Sequence, residues 1–186
     1  MIALFVGSFN PVTLAHAEIV ERIKQLENVS KVIVIPVSNY YSKPGLVVSG
    51  KHRFKMLQLA LPETLISDFE IKQKRQLKSL ETLNHFQSLF LEPLALVIGA
   101  DNFANFHTWY RYQEILSKYY LIVISRQSDV QAILDHERYN NYRHKIIFIN
   151  DINLDISSTK AKATLDRKYL CPQVIEYIHK NHLYTQ

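Results

Sequence analysis

The chain has 186 residues, 47% of them hydrophobic, and a formal net charge of +5, enough apolar content for one packed domain spanning residues 1–186. No apolar run approaches the roughly 20 residues that cross a bilayer, and no basic leader with a small-residue cleavage site opens the sequence. The single cysteine, Cys171, excludes an internal disulfide framework and a cysteine-rich metal site, so a soluble cytoplasmic protein is expected.

Short apolar runs alternate with longer amphipathic ones. A strand is predicted over residues 2–6, then a helix over 14–26, where Ala15, Ile19, Ile23 and Leu26 make one stripe. A strand over 31–37 ("KVIVIPV") precedes a helix over 52–61, and a strand over 65–69 precedes a helix over 80–89. Further strands follow over 94–99, 120–125 and 145–149, with helices over 112–118 and 130–136. Consecutive apolar positions, as in "LALVIGA" and "YYLIVIS", mark strands buried on both faces of a parallel sheet. The succession predicts an α/β fold, a Rossmann-like doubly wound parallel sheet.

Three segments at strand ends carry candidate chemistry. In "GSFNPVTLAH", Gly7 lets the backbone turn tightly and approach a ligand, and Pro11 stiffens the connection. Thr13 and His16 stand at a helix start, where free N–H groups favour an anion, and their spacing puts them on one face. Thr13 as a plain N-cap and His16 as a packing histidine fit the residues as well. In "GADNFANFHTW", Gly99 ends a strand, Asp101 is placed for a ribose hydroxyl, and Trp109, the only tryptophan, can stack on a planar ligand. A helix cap and a core filler are the bland alternatives. In "DISSTKAK", Ser157, Ser158 and Thr159 open a helical stretch with Lys160 and Lys162, which reads as a second phosphate cradle. The basic run "KQKRQLK" reads as a solvated loop edge, and no nucleic-acid module accompanies it.

These segments, with "YQEI", "HRFKMLQLAL", "SLETL" and the tail "LCPQVIEYIHKNHLY", resemble the nicotinate-nucleotide adenylyltransferases of the HxGH nucleotidyltransferase superfamily. They cover nearly the whole chain in the family's order. The resemblance implies a nucleotidyltransferase-type fold, with residues 155–186 as its phosphate-binding and helical C-terminal part. It implies transfer of AMP from ATP to nicotinate mononucleotide, assisted by Mg²⁺, giving nicotinate adenine dinucleotide and pyrophosphate. His16, Thr13 and a loop lysine, Lys43, would be catalytic. Gly7, Ser8, Phe9, Asn10, Gly99 and Asp101 would line the ATP site, and Ser157, Ser158, Thr159 and Lys162 would hold its outer phosphates. Ser79, Asp101 and Trp109 would bind the acceptor, with Trp109 stacked on the pyridine ring. Mg²⁺ would be held by phosphates and water, so no protein metal site is expected. No nucleic-acid or membrane partner is implied, and a homo-oligomer is left open.

Several positions depart from the family's pattern, and Thr13 stands in the place of the family's first histidine. Ala15 replaces a glycine and adds a methyl at the expected helix–ligand approach. Asn10 replaces an aspartate, Lys162 an arginine, exchanging a fork for a point charge, and Lys78 a tyrosine beside the acceptor. Adenylyl transfer is thus better marked than the acceptor, and nicotinamide mononucleotide is an alternative. "GSFNPVT" also resembles the first motif of pantetheine-phosphate adenylyltransferase, against which stand the chain length, Trp109 in its context and the tail. A nucleotide-binding homologue that has lost catalysis would carry changes such as those at Asn10, Ala15 and Lys162.

Overall fold

Runs of β-branched and aliphatic residues become strands here, and β2, β4 and β5 are buried over nearly their whole length. A computed structural model describes residues 1–41, 48–125, 131–150 and 158–184, with the side chains of 131, 132 and 158 not described. Six strands are seen among these residues: β1 (Ile2–Gly7), β2 (Lys31–Pro36), β3 (Leu65–Ile66), β4 (Leu94–Gly99), β5 (Tyr120–Ile124) and β6 (Ile146–Ile149). They form one sheet in the order β3-β2-β1-β4-β5-β6. The pairings of β1 with β4, β2 with β3, β4 with β5 and β5 with β6 are all parallel. This is the doubly wound, Rossmann-like α/β sheet that the sequence predicts, and its strand order reverses at β1. The carboxyl end of β1 is Gly7, where such sheets bind their ligands.

Helices α1 (Leu14–Lys24), α2 (Gly50–Ala60), α3 (Ser79–Leu89), α4 (Ala100–Ala104), α5 (Tyr112–Lys118), α6 (Gln131–Leu134), α7 (Ser158–Thr164) and α8 (Pro172–Lys180) alternate with the strands, with 3-10 turns at Phe106–Thr108 and Glu137–Lys145. On α1, Ala15, Ile19 and Ile23 face the core, as the stripe predicts, Val20 is buried beside them, and the helix ends before Leu26. β3 is two residues long instead of five. Its continuation fails because the Ser67 hydroxyl takes the Phe69 amide at 3.3 Å, a local bond that competes with the ladder.

The chain divides into two compact units. The first comprises Met1–Phe5, Arg22–Val32 and Lys78–Asn153; the second comprises Val6–Glu21, Ile33–Leu77 and Leu154–Gln186. In the first, β4 and β5 are buried almost throughout, with Phe103, Phe106, Ile115 and Leu116 against them in the core. In the second, α2 lies against α8, and His52 Nδ1 meets the Tyr177 hydroxyl at 2.9 Å. Among the described residues no helix is long and apolar enough to cross a membrane.

Candidate active site

The turn after β1 is built from inside. Phe9 takes a left-handed backbone (φ 43°) and is 1% exposed. Its ring lies over Gly7 so closely that a Cβ there would sit 2.9 Å from it. Phe9 thus requires a glycine at position 7 whether or not a ligand approaches the backbone there. The ring also meets the His16 imidazole edge-on, centroids 5.1 Å apart. Phe9 is the floor of the turn.

Thr13 precedes α1 and His16 lies in its first turn. The Thr13 amide donates to His16 Nδ1 at 3.0 Å, and the Thr13 hydroxyl meets the same nitrogen at 2.8 Å. An amide can only donate, so Nδ1 accepts and the proton of the neutral ring sits on Nε2. The expectation that both residues face an anion fails for Thr13, which is 3% exposed and turned toward the imidazole. His16 is half-buried. The pair reverses an ordinary cap: the histidine side chain caps the amide of the residue before the helix.

Ala15 is 0% exposed, so its methyl packs in the core and does not stand in a ligand's way, correcting the expectation drawn from that departure. Asn10 is 5% exposed, its peptide bond to Pro11 is cis, and its Oδ1 accepts a 2.8 Å hydrogen bond from the Tyr184 hydroxyl. That oxygen is turned inward, to the C-terminal tail. The Leu14 amide donates to the Tyr169 carbonyl at 2.8 Å, a second tie between the first motif and the C-terminal region.

Beneath the turn lies a residue that the sequence reading passed over. Arg53 is fully buried on the apolar face of α2 with Met56 and Leu57. Its Nε donates to the Val48 carbonyl (3.1 Å), Nη1 to Ser8 (3.0 Å), and Nη2 to Val37 (2.7 Å) and Ser38 (3.5 Å). Burial draws its pKa down to about 10, with Tyr184 and Glu70 opposing, so the guanidinium stays charged at neutral pH. Burial likewise pushes the Tyr184 hydroxyl up, which keeps it a donor. An arginine on an otherwise apolar helix face was the one available signal for this cluster. Nothing local marked Tyr184.

In α7, Thr159 is exposed and Lys162 half-buried. Lys43 and Ser157 lie outside the described residues, as does the side chain of Ser158. Ser8 is half-buried, its carbonyl held by Arg53.

The remaining candidates belong to the other unit. Gly99 ends β4 with ordinary backbone (φ −78°, ψ 160°), and a Cβ there would meet nothing within 4 Å. The fold gives no reason for a glycine at that exposed position. Asp101 is exposed in the first turn of α4 and makes no capping bond, so the helix-cap alternative is not realised. Trp109 is half-buried with its ring 5.2 Å from that of Phe106, which leaves it out of the closed core. Ser79 is half-buried at the start of α3, where the Lys78 amide donates to Glu81 Oε2 at 2.7 Å.

The family model described as "Cytidylyltransferase-like" matches residues 4–164. The chain is 33% identical to a protein of Caldicellulosiruptor bescii named "Probable nicotinate-nucleotide adenylyltransferase", over 100% of this chain and 99% of that one. It is 40% identical to one of the same name from Helicobacter pylori strain J99, over 88% and 92% of the two chains. Among solved structures, the nicotinic acid mononucleotide adenylyltransferase of Plasmodium falciparum complexed with NaAD aligns with a TM-score of 0.83, at 22% identity and over 98% and 96% of the chains. At that identity the likeness is one of fold. The chain belongs to the cytidylyltransferase-like family and, within it, to the nicotinate-nucleotide adenylyltransferases, which are nucleotidyltransferases of NAD biosynthesis.

Proposed function

We propose that this family member transfers the AMP moiety of ATP to nicotinate mononucleotide, forming nicotinate adenine dinucleotide and pyrophosphate. An oxygen of the mononucleotide phosphate bonds to the α-phosphorus of ATP. The bond from that phosphorus to the bridging oxygen breaks, and pyrophosphate leaves with the electron pair. Such a transfer asks a protein mainly for positioning and charge stabilisation.

The observation that carries the reading is the His16 tautomer. With Nδ1 occupied by Thr13, the imidazole offers Nε2–H as a donor at the start of α1, suited to a phosphate oxygen that gains charge. Thr13 acts through His16. Gly7, Ser8 and Phe9 would line the nucleotide with backbone, and Asn10 would shape the turn behind them. Lys43, Ser157, Ser158, Thr159 and Lys162 would hold the outer phosphates. Gly99 would leave room for the nucleotide, Asp101 would accept from a ribose hydroxyl, and Trp109 with Ser79 would bind the pyridine ring. The groups assigned to the phosphates are hydroxyls and amines, not a carboxylate cage, so Mg²⁺ would be held by phosphate oxygens and water. When bound it would neutralise phosphate charge. The names of the curated relatives support the acceptor.

The test is pyrophosphate release with Mg-ATP and, separately, nicotinate mononucleotide, nicotinamide mononucleotide and phosphopantetheine. Release with the nicotinate form, lost in His16→Ala, is expected. Release with another acceptor alone reassigns the substrate. A folded protein that binds ATP and releases nothing is a nucleotide-binding homologue.

A further inference from the structure

The first motif is held from both ends by groups far away in sequence. Ser8 and Asn10 flank Phe9, whose left-handed backbone is costly for a bulky residue and persists only where its surroundings enforce it. Arg53 Nη1 grips the Ser8 carbonyl at 3.0 Å, and the Tyr184 hydroxyl grips Asn10 Oδ1 at 2.8 Å. Phe9 in turn packs on Gly7 and against the His16 ring. A chain of contacts thus runs from Tyr184 through Asn10 and Phe9 to the imidazole.

The tail is shaped for this contact. α8 ends in a Schellman motif: the His182 amide donates to the His179 carbonyl at 3.2 Å and the Leu183 amide to that of Ile178 at 3.0 Å. His182 is left-handed (φ 49°), and Tyr184 is left-handed again (φ 62°). These two reversals lead from the end of α8 to the first turn. The helix itself is anchored to α2 through His52 and Tyr177, one residue from Arg53. α2 therefore holds the tail with one residue and the turn with the next.

We propose that Tyr184 is a positioning residue that latches the first turn: by holding Asn10 it fixes Phe9 against His16 and so sets the affinity for the ATP phosphates. The effect on ATP rests on the adenylyltransferase reading; the latch itself does not.

The experiment compares the full chain with Tyr184→Phe, Asn10→Ala and the double variant. Pyrophosphate release gives kcat and KM for ATP, hydrogen exchange follows the amides of residues 12–16, and thermal unfolding gives Tm. Each single variant should raise KM for ATP about fivefold, the scale of one orienting hydrogen bond. kcat should change less than KM, and exchange should quicken over residues 12–16 and not over β4. The double variant should fall short of the sum of the singles, since the Tyr184–Asn10 bond is lost in both. Unchanged KM, unchanged local exchange or additive effects overturn the latch. A uniform quickening of exchange with a large fall in Tm makes Tyr184 merely structural and overturns it equally. If the unmutated chain releases no pyrophosphate, the functional reading has failed on its own, and local exchange decides the latch.

Discussion

One imidazole is assigned two tasks, and its two nitrogens can be separated by mutation. His16 Nδ1 accepts from Thr13 while Nε2–H is assigned to a phosphate. An asparagine places its amide oxygen near the Nδ1 position but cannot reach as far as Nε2; a glutamine does the reverse. His16→Asn should therefore keep the cap and hold Tm, and lose about 10²–10³ in kcat, the usual cost of one donor to a developing oxyanion. His16→Ala should lose the same activity and about 1 kcal/mol of stability besides. Steady-state kinetics beside thermal unfolding of the two variants separates the tasks. An asparagine variant with unmutated kcat would remove Nε2 from the mechanism. The presence of Thr13 and His16 at a helix start was legible because helix starts have a local chemical signature. Which of the two faces outward was not, since that depends on the buried Phe9 ring and on a hydrogen bond within the turn.

Elements were legible in proportion to their apolar periodicity. β4 and α5 fall at the predicted bounds, Leu94–Gly99 and Tyr112–Lys118, because unbroken apolar runs leave the strand no other use. α4, with five residues, and the three-residue 3-10 turn Phe106–Thr108 are too short for a period to register. The element least readable in function is α2, whose buried arginine joins parts of the chain that no local pattern connects. Arg53 is bonded to carbonyls at residues 8, 37, 38 and 48. A lysine keeps the charge but has one nitrogen in place of the planar fork, so the carbonyls of Ser8, Val37 and Val48, bonded to three different guanidinium nitrogens, would not all keep a partner, while Ser38 keeps the Tyr41 amide. Each orphaned carbonyl costs about 1–3 kcal/mol. Arg53→Lys should thus cost on the order of 3 kcal/mol, a fall of roughly 10 °C in Tm for a chain of this size. Calorimetry decides it: an unshifted Tm would mean that the guanidinium bonds contribute no net stability.

At the scale of the whole molecule the net charge of +5 bears on how anionic substrates arrive. The basic residues Lys72, Lys74, Arg75 and Lys78 are exposed, and Lys72 is paired with Asp68 at 2.9 Å, so their side of the run is a solvated edge. Lys160 and Lys162 lie on α7, in the segment assigned to the phosphates. A net positive protein capturing ATP gains in encounter rate through a field that salt screens, with a Debye length of about 10 Å at 0.1 M. Contacts already made in the bound complex are screened far less. Raising KCl from about 50 to about 300 mM should therefore lower kcat/KM for ATP several-fold and leave kcat nearly unchanged. A parallel titration with a single-stranded oligonucleotide should find only weak, salt-labile binding, as expected of unspecific charge. If kcat/KM is flat across that range, the positive charge does not assist capture and the phosphate contacts alone account for affinity. If kcat falls with it, salt is acting on the bound complex, and the lysines of α7 are then the groups to neutralise one at a time.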